Sequence, residues 1–160
     1  MGTVEERLLA LEAEINELKG KDAVRHILSR YAVGVDSKRP ELLQELFDTE
    51  AALSIPNWNI EVRGRDAVMA FFDDYWARFD YPRRYYANED ITVRGHHAEA
   101  FMYWHVTQSR EEQSVFGWGS YEWGFKNAGD RWLITKEVVH ILAMTTLDAG
   151  WAGDHALSSL

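Results

Sequence analysis

The N-terminal part of the chain shows the hydrophobic periodicity of α-helices. Apolar residues at intervals of three and four, separated by glutamates, predict an amphipathic helix over residues 4–18. The stripe consists of Leu8, Leu11, Ile15 and Leu18. Gly20 is predicted to interrupt this helix, and Asp22 to cap a second helix that continues to Gly34. Two heptads are too few to establish a coiled coil, so we expect the first helix to pack on its own body or on a neighbouring subunit.

Shorter elements follow this helical region. Pro40 suits the first position of a helix and predicts a third helix over residues 41–47. Residues 51–55 and 59–62 have the pattern of two strands around a Pro-Asn-Trp corner. A further apolar stripe predicts a helix over residues 66–79.

The rest of the chain alternates as long β-strands do. We predict four strands, joined by polar turns and paired sequentially in antiparallel fashion, over residues 84–93, 98–107, 115–125 and 132–142. Helices followed by such a meander make an α+β domain, with a curved, mainly antiparallel sheet against three helices and an additional N-terminal helix. We expect residues 1–147 to form a single domain and residues 148–160 to be weakly structured.

Composition excludes several functional classes. Seventeen basic against 26 acidic residues give a net charge of −9, which disfavours a nucleic-acid partner. The chain contains no cysteine, which excludes disulfides, thiolate metal sites and thiol nucleophiles. No uncharged run approaches the roughly 18 residues of a membrane span, so we expect a cytoplasmic protein without a membrane partner. Seven Trp, seven Tyr and seven Phe indicate a pocket for a flat, hydrophobic small molecule.

Several segments, taken in order, resemble the SnoaL-like branch of the NTF2-like superfamily. Residues 28–38 are similar to its Tyr-x4-Asp segment, residues 62–68 to its strand–Gly–helix entry, and residues 119–134 to its final hairpin. The likeness covers residues 20–142 and implies an NTF2-like cone. The superfamily includes dehydratases, dehydrochlorinases, isomerases, polyketide cyclases and formaldehyde-releasing lyases as well as binding proteins, so the fold does not settle the chemistry. The Glu-rich first helix most resembles bile-acid dehydratases.

Tyr31 and Asp36 are the first candidates for catalysis. On a continuous helix they would lie about 140° apart, but a helix end near Gly34 would let Asp36 turn back towards Tyr31. A carboxylate in an aromatic pocket suits abstraction of a carbon-bound proton, and a tyrosine can donate to a leaving hydroxyl or a carbonyl oxygen. The alternative is that Asp36 caps the next helix and Tyr31 lies at the edge of the core.

The resemblance also directs attention to Arg84. In the dehydratase and dehydrochlorinase relatives, a histidine precedes a small polar residue by four positions. Asn88 matches the small polar residue, so the position of the histidine is occupied by Arg84 in this chain. Arginine does not act as a base at ordinary pH, but its guanidinium can hold an oxyanion. This implies Asp36 as the base, with Arg84 and Tyr31 as electrostatic partners. An outward-facing cation is the alternative for Arg84.

Two histidines complete the list of candidates. His105 lies on a predicted strand of which either face could line the concave side, so it is a candidate acid or base or a structural histidine. His140 has similar standing on the last strand. The residues expected to bind substrate are Trp58, Tyr86, Asn88, Trp104, Trp118 and His140. Without clustered ligands or a phosphate-binding glycine loop, we expect neither a metal nor a cofactor.

These features predict a cofactor-independent lyase of the dehydratase type, acting on a small hydrophobic alcohol that is aromatic or polycyclic. The alternatives are a formaldehyde-releasing carbon–carbon lyase, an isomerase or a polyketide cyclase in the same pocket, or a non-catalytic ligand-binding module. We expect a homo-oligomer in each case. The dehydratase relatives imply a trimer, and the isomerase-like relatives imply a dimer.

Overall fold

A computed structural model describes residues 3–152 of the 160-residue chain. The elements in chain order are α1 (Val4–Asp36), α2 (Pro40–Leu46), β1 (Phe47–Ile55), a 3-10 turn (Pro56–Trp58), β2 (Ile60–Arg63), α3 (Arg65–Arg78), β3 (Asp80–Arg94), β4 (His97–Arg110), β5 (Gln113–Asn127) and β6 (Trp132–Thr146). Among the described residues, none of the helices is both long and apolar enough to cross a membrane.

The strands form a single six-stranded sheet in the order β2-β1-β6-β5-β4-β3. The sequential antiparallel pairing predicted for the last four strands is confirmed. β1 also pairs with β6, in parallel, which the sequence analysis does not predict. The α+β class and the curved, mainly antiparallel sheet are therefore as the sequence predicts.

The prediction that Gly20 interrupts the first helix is wrong. A single helix of 33 residues runs from Val4 to Asp36, and Asp22 lies within it rather than at a cap. Gly20 is buried, and a Cβ at this position would lie 3.0 Å from Cγ1 of Val93 on β3. The glycine therefore allows the helix to approach the sheet closely, and the helix tolerates its weak propensity of about 1 kcal/mol relative to alanine.

Two element boundaries also differ from prediction. Phe47 begins β1 instead of ending the third helix, and β3 begins at Asp80, so that Tyr81 and Pro82 lie in a strand. A proline is tolerated there because β3 is an edge strand, where a missing N–H need not interrupt a ladder on both sides.

The concave face of the sheet packs against α1 and α3 and forms the core. Residues of β4 alternate between buried and exposed positions over almost the whole strand. The largest fully buried side chains in this core include Tyr31, Phe47, Phe72, Phe79 and Phe125. The pleat of β4 therefore sends Trp104 inward and leaves Phe101 and Tyr103 on the outer face.

The first and last described residues differ in how they contact the body. The side chains of residues 4–19 are exposed, so the first turns of α1 do not pack on their own body. At the other end, the backbone N–H of Gly150 donates to the carbonyl of Thr146, and Oγ1 of Thr145 donates to the carbonyl of Gly150. Residues 148–152 are held by this turn, and the rest of the tail, residues 153–160, lies outside the described residues.

Strands β5 and β6 approach each other closely at Gly119, where their pairing register shifts. A Cβ at Gly119 would lie 1.9 Å from the carbonyl oxygen of His140, so we expect Gly119→Ala to lower the free energy of unfolding by about 1–3 kcal/mol, measured by urea denaturation. Gly124→Ala is the control, because its methyl would first meet the side chains of Lys136 and Thr135, at 3.1 and 3.2 Å. Equal effects of the two substitutions would contradict this assignment.

Candidate active site

A mostly apolar cavity lies between the concave face of the sheet and helices α1 and α3, with a volume of about 60 Å³. Its apolar walls are formed by Ile55, Trp58, Phe71, Phe72, Trp104, Val106, Val139, Ile141 and Met144. Its polar lining consists of Tyr31, Tyr75, Arg84, Gln108, Tyr121 and Glu137. A few polar groups converging in an apolar cleft are typical of small-molecule sites.

Asp36 and Arg84 form a buried ion pair at one end of this cavity. Oδ2 of Asp36 accepts the backbone N–H of Arg84 at 2.8 Å, and Oδ1 accepts Nε of the same residue at 2.6 Å. The two side chains are only 12% and 7% exposed. Asp36 thus neither caps the next helix nor presents a free carboxylate; both of its oxygens hold Arg84.

The ion pair directs the guanidinium of Arg84 towards two tyrosines. Nη2 of Arg84 donates to the hydroxyl of Tyr75 at 3.2 Å, and that hydroxyl donates to Oε1 of Gln108. Cζ of Arg84 also lies 5.9 Å from the ring centroid of Tyr31. Arg84 therefore lies inside the cavity, and the alternative of an outward-facing cation is wrong.

Glu137 is the functional candidate that the sequence analysis missed. It lies on the concave face of β6, and only 1% of it is exposed. The hydroxyl of Tyr31 donates to its Oε1 at 2.5 Å, while the buried Oε2 has no hydrogen-bond partner among the described residues. The strand period carried a signal for this position, because Glu137 alternates in phase with Val139 and Ile141, which line the same cavity.

Burial sets the protonation state of Glu137. It raises the pKa of this carboxyl from 4.5 to about 8, and the hydrogen bond from Tyr31 and the charge of Arg84 offset only part of that effect. Burial and the neighbouring Glu137 also raise the pKa of Tyr31 well above its ordinary value, so the tyrosine remains a neutral donor. A carboxyl whose pKa lies near neutrality can both accept and return a proton.

Two other predicted residues border the same region. Tyr86 lies edge-on to Tyr121 with ring centroids 5.8 Å apart, and its buried hydroxyl has no partner within residues 3–152. Burial raises the pKa of both tyrosines, which keeps their hydroxyls protonated. The indole of Trp104 donates to the carbonyl of Ser120 at 3.2 Å, so its ring forms a fixed wall of the cavity.

The remaining predicted site residues do not line this cavity. His105 and Trp118 lie on the outer face of the sheet, where both rings contact Phe116. His140 also points outward, with Nε2 3.0 Å from Oε1 of Glu122. The strand pleat separates these residues from the concave face.

Asn88 is displaced by a local irregularity of the strand. It is exposed, has a φ of 58°, and lies where the register of β3 shifts between Ala87 and Asp90. A bulge of this kind re-aims side chains, so counting positions along the strand does not locate this residue. Within residues 3–152, His and acidic side chains form no group of three that could hold a metal ion.

Comparison with known proteins identifies a family for this architecture. A family model described as a SnoaL-like domain matches residues 16–137. No curated protein sequence matches the chain.

Solved structures share the fold at low sequence identity. A proposed scytalone dehydratase from Novosphingobium aromaticivorans DSM 12444 is 18% identical with a TM-score of 0.74, over 87% of this chain and 92% of that one. A type 3 hexachlorocyclohexane dehydrochlorinase from Novosphingobium barchaimii LL02 is 17% identical with a TM-score of 0.75, over 88% and 95%. A proposed aromatic ring hydroxylase from Novosphingobium aromaticivorans is 17% identical with a TM-score of 0.74, over 81% and 94%. These likenesses concern the fold alone.

The ion pair can be tested through stability. Asp36→Asn would leave the buried guanidinium of Arg84 without its counter-charge, so we expect the free energy of unfolding to fall by about 3 kcal/mol. Asp74→Asn is the control, because Asp74 pairs with Arg78 on the exposed surface of α3. If urea denaturation gave the same small change for both variants, Asp36 would not act as this anchor.

The raised pKa of Glu137 predicts how stability depends on pH. Between pH 4.5 and about 8 the folded chain retains a proton that the unfolded chain has lost. The free energy of unfolding should therefore fall as pH rises, by about 1.4 kcal/mol per pH unit. Glu137→Gln should remove this slope, and Glu122→Gln, an exposed position on β5, should retain it. Parallel pH profiles for the wild type and Glu137→Gln in urea denaturation would show that Glu137 has no raised pKa.

Proposed function

This chain belongs to the SnoaL-like domain family, as the resemblance of its motifs predicted, and we propose that it is a cofactor-independent enzyme of the lyase or isomerase type. Its substrate would be a small hydrophobic molecule. Its chemistry would be the transfer of a carbon-bound proton, followed by elimination.

One observation carries this proposal: Glu137 is a buried carboxyl with a pKa raised to about 8 and one oxygen free to face the cavity. Proton abstraction next to a carbonyl requires a base poised near neutral pH. We assign that role to Glu137 rather than to Asp36, because both oxygens of Asp36 are engaged by Arg84. Asp36 is then a positioning residue.

The proposed step transfers one proton twice. The carboxylate of Glu137 takes a proton from the carbon next to a substrate carbonyl, and the C–H electron pair becomes part of an enolate. The guanidinium of Arg84 faces the developing oxyanion as a fixed donor. The enolate then expels a β-hydroxyl, which receives the same proton from Glu137 and leaves as water, so that a C=C bond forms and the carboxylate is restored.

Tyr31 supports this cycle by fixing the carboxyl. Its hydroxyl holds Oε1 of Glu137, so Oε2 is the oxygen left to exchange a proton with a ligand. Return of the proton to a different carbon would give isomerisation instead of elimination.

The cavity also narrows the substrate class. Its walls are aromatic and aliphatic, but its volume is about 60 Å³, whereas a closed cavity of about 150 Å³ is known to hold benzene. A substrate with even one ring would require the walls to move, and a polycyclic alcohol would require a larger movement. We therefore propose a substrate with at most one ring, whose carbonyl and β-hydroxyl enter between Arg84 and Glu137.

The experiment is deuterium exchange into β-hydroxypropiophenone in D₂O, followed by mass spectrometry. We expect the wild type to exchange the protons next to the carbonyl, and Glu137→Gln to lose at least about a hundredfold in rate because the base is removed. Glu122→Gln is the matched control, since it makes the same change on the outer face of the neighbouring strand.

The same spectra separate the possible reactions. Loss of water identifies elimination, loss of formaldehyde identifies carbon–carbon cleavage, and exchange without a change of mass in H₂O identifies proton transfer alone. Full exchange by Glu137→Gln would exclude Glu137 as the base. Binding of the probe by the wild type without any exchange would contradict the enzymatic proposal and favour a ligand-binding module.

A further inference from the structure

The first turns of α1 form a helical segment that projects from the body without a partner. This segment, residues 4–18, is called here the projecting helix, and all of its side chains are exposed. Leu11, Ile15 and Leu18 are 52%, 48% and 59% exposed. Contact with the body begins at Gly20, which is buried against Val93.

The helix start is nevertheless well formed. Oγ1 of Thr3 accepts the backbone N–H of Glu6, and the backbone N–H of Thr3 donates to the Glu6 carboxylate, which together make a capping box. Such a cap satisfies backbone donors at the first turn. The segment is the unpacked end of one 33-residue helix, and most helical stability in proteins comes from packing of an apolar face, so its row of exposed leucines indicates a surface that another helix covers.

Apart from Leu9, which falls at position b, the large apolar side chains of the projecting helix form a row with a heptad repeat. Counting Leu8 as position a places every member of the row at a core position, with no gap before the body begins. The a positions are Leu8 and Ile15, and the d positions are Val4, Leu11 and Leu18. This is the seam of a left-handed coiled coil, in which a and d residues pack against the same positions of a partner helix.

The charged residues flanking the seam define the orientation of the partner. In a parallel pair, each g residue faces the e residue five positions later on the other helix. Here Arg7 at g faces Glu12 at e, and Glu14 at g faces Lys19 at e, so both kinds of pair are oppositely charged.

An antiparallel pair of the same helices would be poorly matched. It would place g residues opposite g residues, which brings Arg7 against Lys21 and Glu14 against a second Glu14. It would also place e residues opposite e residues, which brings Glu12 against a second Glu12 and leaves Glu5 with Lys19 as the one oppositely charged pair. Like charges at these positions oppose association. The charge pattern therefore fits a second copy of this chain in parallel orientation.

We propose that the projecting helix, residues 4–18, forms a parallel coiled coil with the same segment of another copy of this chain. The g–e pairing holds in both parallel dimers and parallel trimers. The proposal concerns assembly and does not depend on the proposed function.

Disulfide trapping tests the orientation directly, because the chain contains no cysteine. In a parallel coil the two residues at position 18 face each other, so the full-length Leu18→Cys variant should form covalently linked copies under mild oxidation. Ala13→Cys is the control, since position 13 is an f position on the side away from the seam. Equal cross-linking of the two variants, or none in either, would overturn the proposal.

Charge reversal supplies an independent readout by light scattering across a dilution series. Arg7→Glu should weaken association about tenfold by facing Glu12 with a like charge, and adding Glu12→Arg should restore it. In an antiparallel coil Arg7→Glu would strengthen association, because Lys21 would become its partner. A monomeric wild type would contradict the proposal. An oligomer insensitive to Arg7→Glu and to Leu11→Glu would also contradict it, because its interface would lie outside the projecting helix.

Discussion

The buried ion pair between Asp36 and Arg84 is the interaction on which the site depends. It joins the C-terminal end of α1 to the edge strand β3, and the indole of Trp76 on α3 donates to the carbonyl of Val35 at the same place. A carboxylate at a helix C-terminus opposes the helix dipole, and the guanidinium offsets this by supplying the opposite charge. The same contact holds that guanidinium against Tyr75 inside the cavity.

The second constraint is the removal of water around Glu137. Burial favours its protonated form, and Tyr31 provides the hydrogen bond that keeps the carboxyl in one orientation. Such a group lowers the stability of the fold at neutral pH, because the unfolded chain would ionise freely. Strongly perturbed carboxyls in clefts are concentrated at functional sites, since chemistry needs the reactivity that stability disfavours.

The two halves of helix α1 lie in different environments. Its C-terminal half packs Val24, Ile27 and Tyr31 into the core, while its N-terminal half presents a leucine row to the outside. The sequence showed both apolar stripes correctly, but Gly20 between them was interpreted as a break. Glycine has a low helix propensity, but close packing of α1 against Val93 requires a residue without a side chain at this position. The helix continues through Gly20 because this packing outweighs the low propensity.

The sequence by itself determined most of the elements, the fold class and the family, because strand alternation, helical periodicity and ordered motifs are local properties of the chain. It wrongly divided α1 at Gly20. It also proposed Tyr31, Asp36 and Arg84 as catalytic residues with Asp36 as the base, whereas both oxygens of Asp36 hold Arg84. It left open which strand face is concave. The sequence therefore could not show that Trp104 lines the cavity whereas His105, Trp118 and His140 lie on the outer face. Only the tertiary structure decided that Glu137 is buried beside Tyr31, 106 positions away in sequence, and that Asp36 holds Arg84. The burial of Glu137 and the pairing of Asp36 with Arg84 depend on elements that meet only when the sheet curves around α1. No local pattern along the chain predicts either contact, because the residues that make it are far apart in sequence.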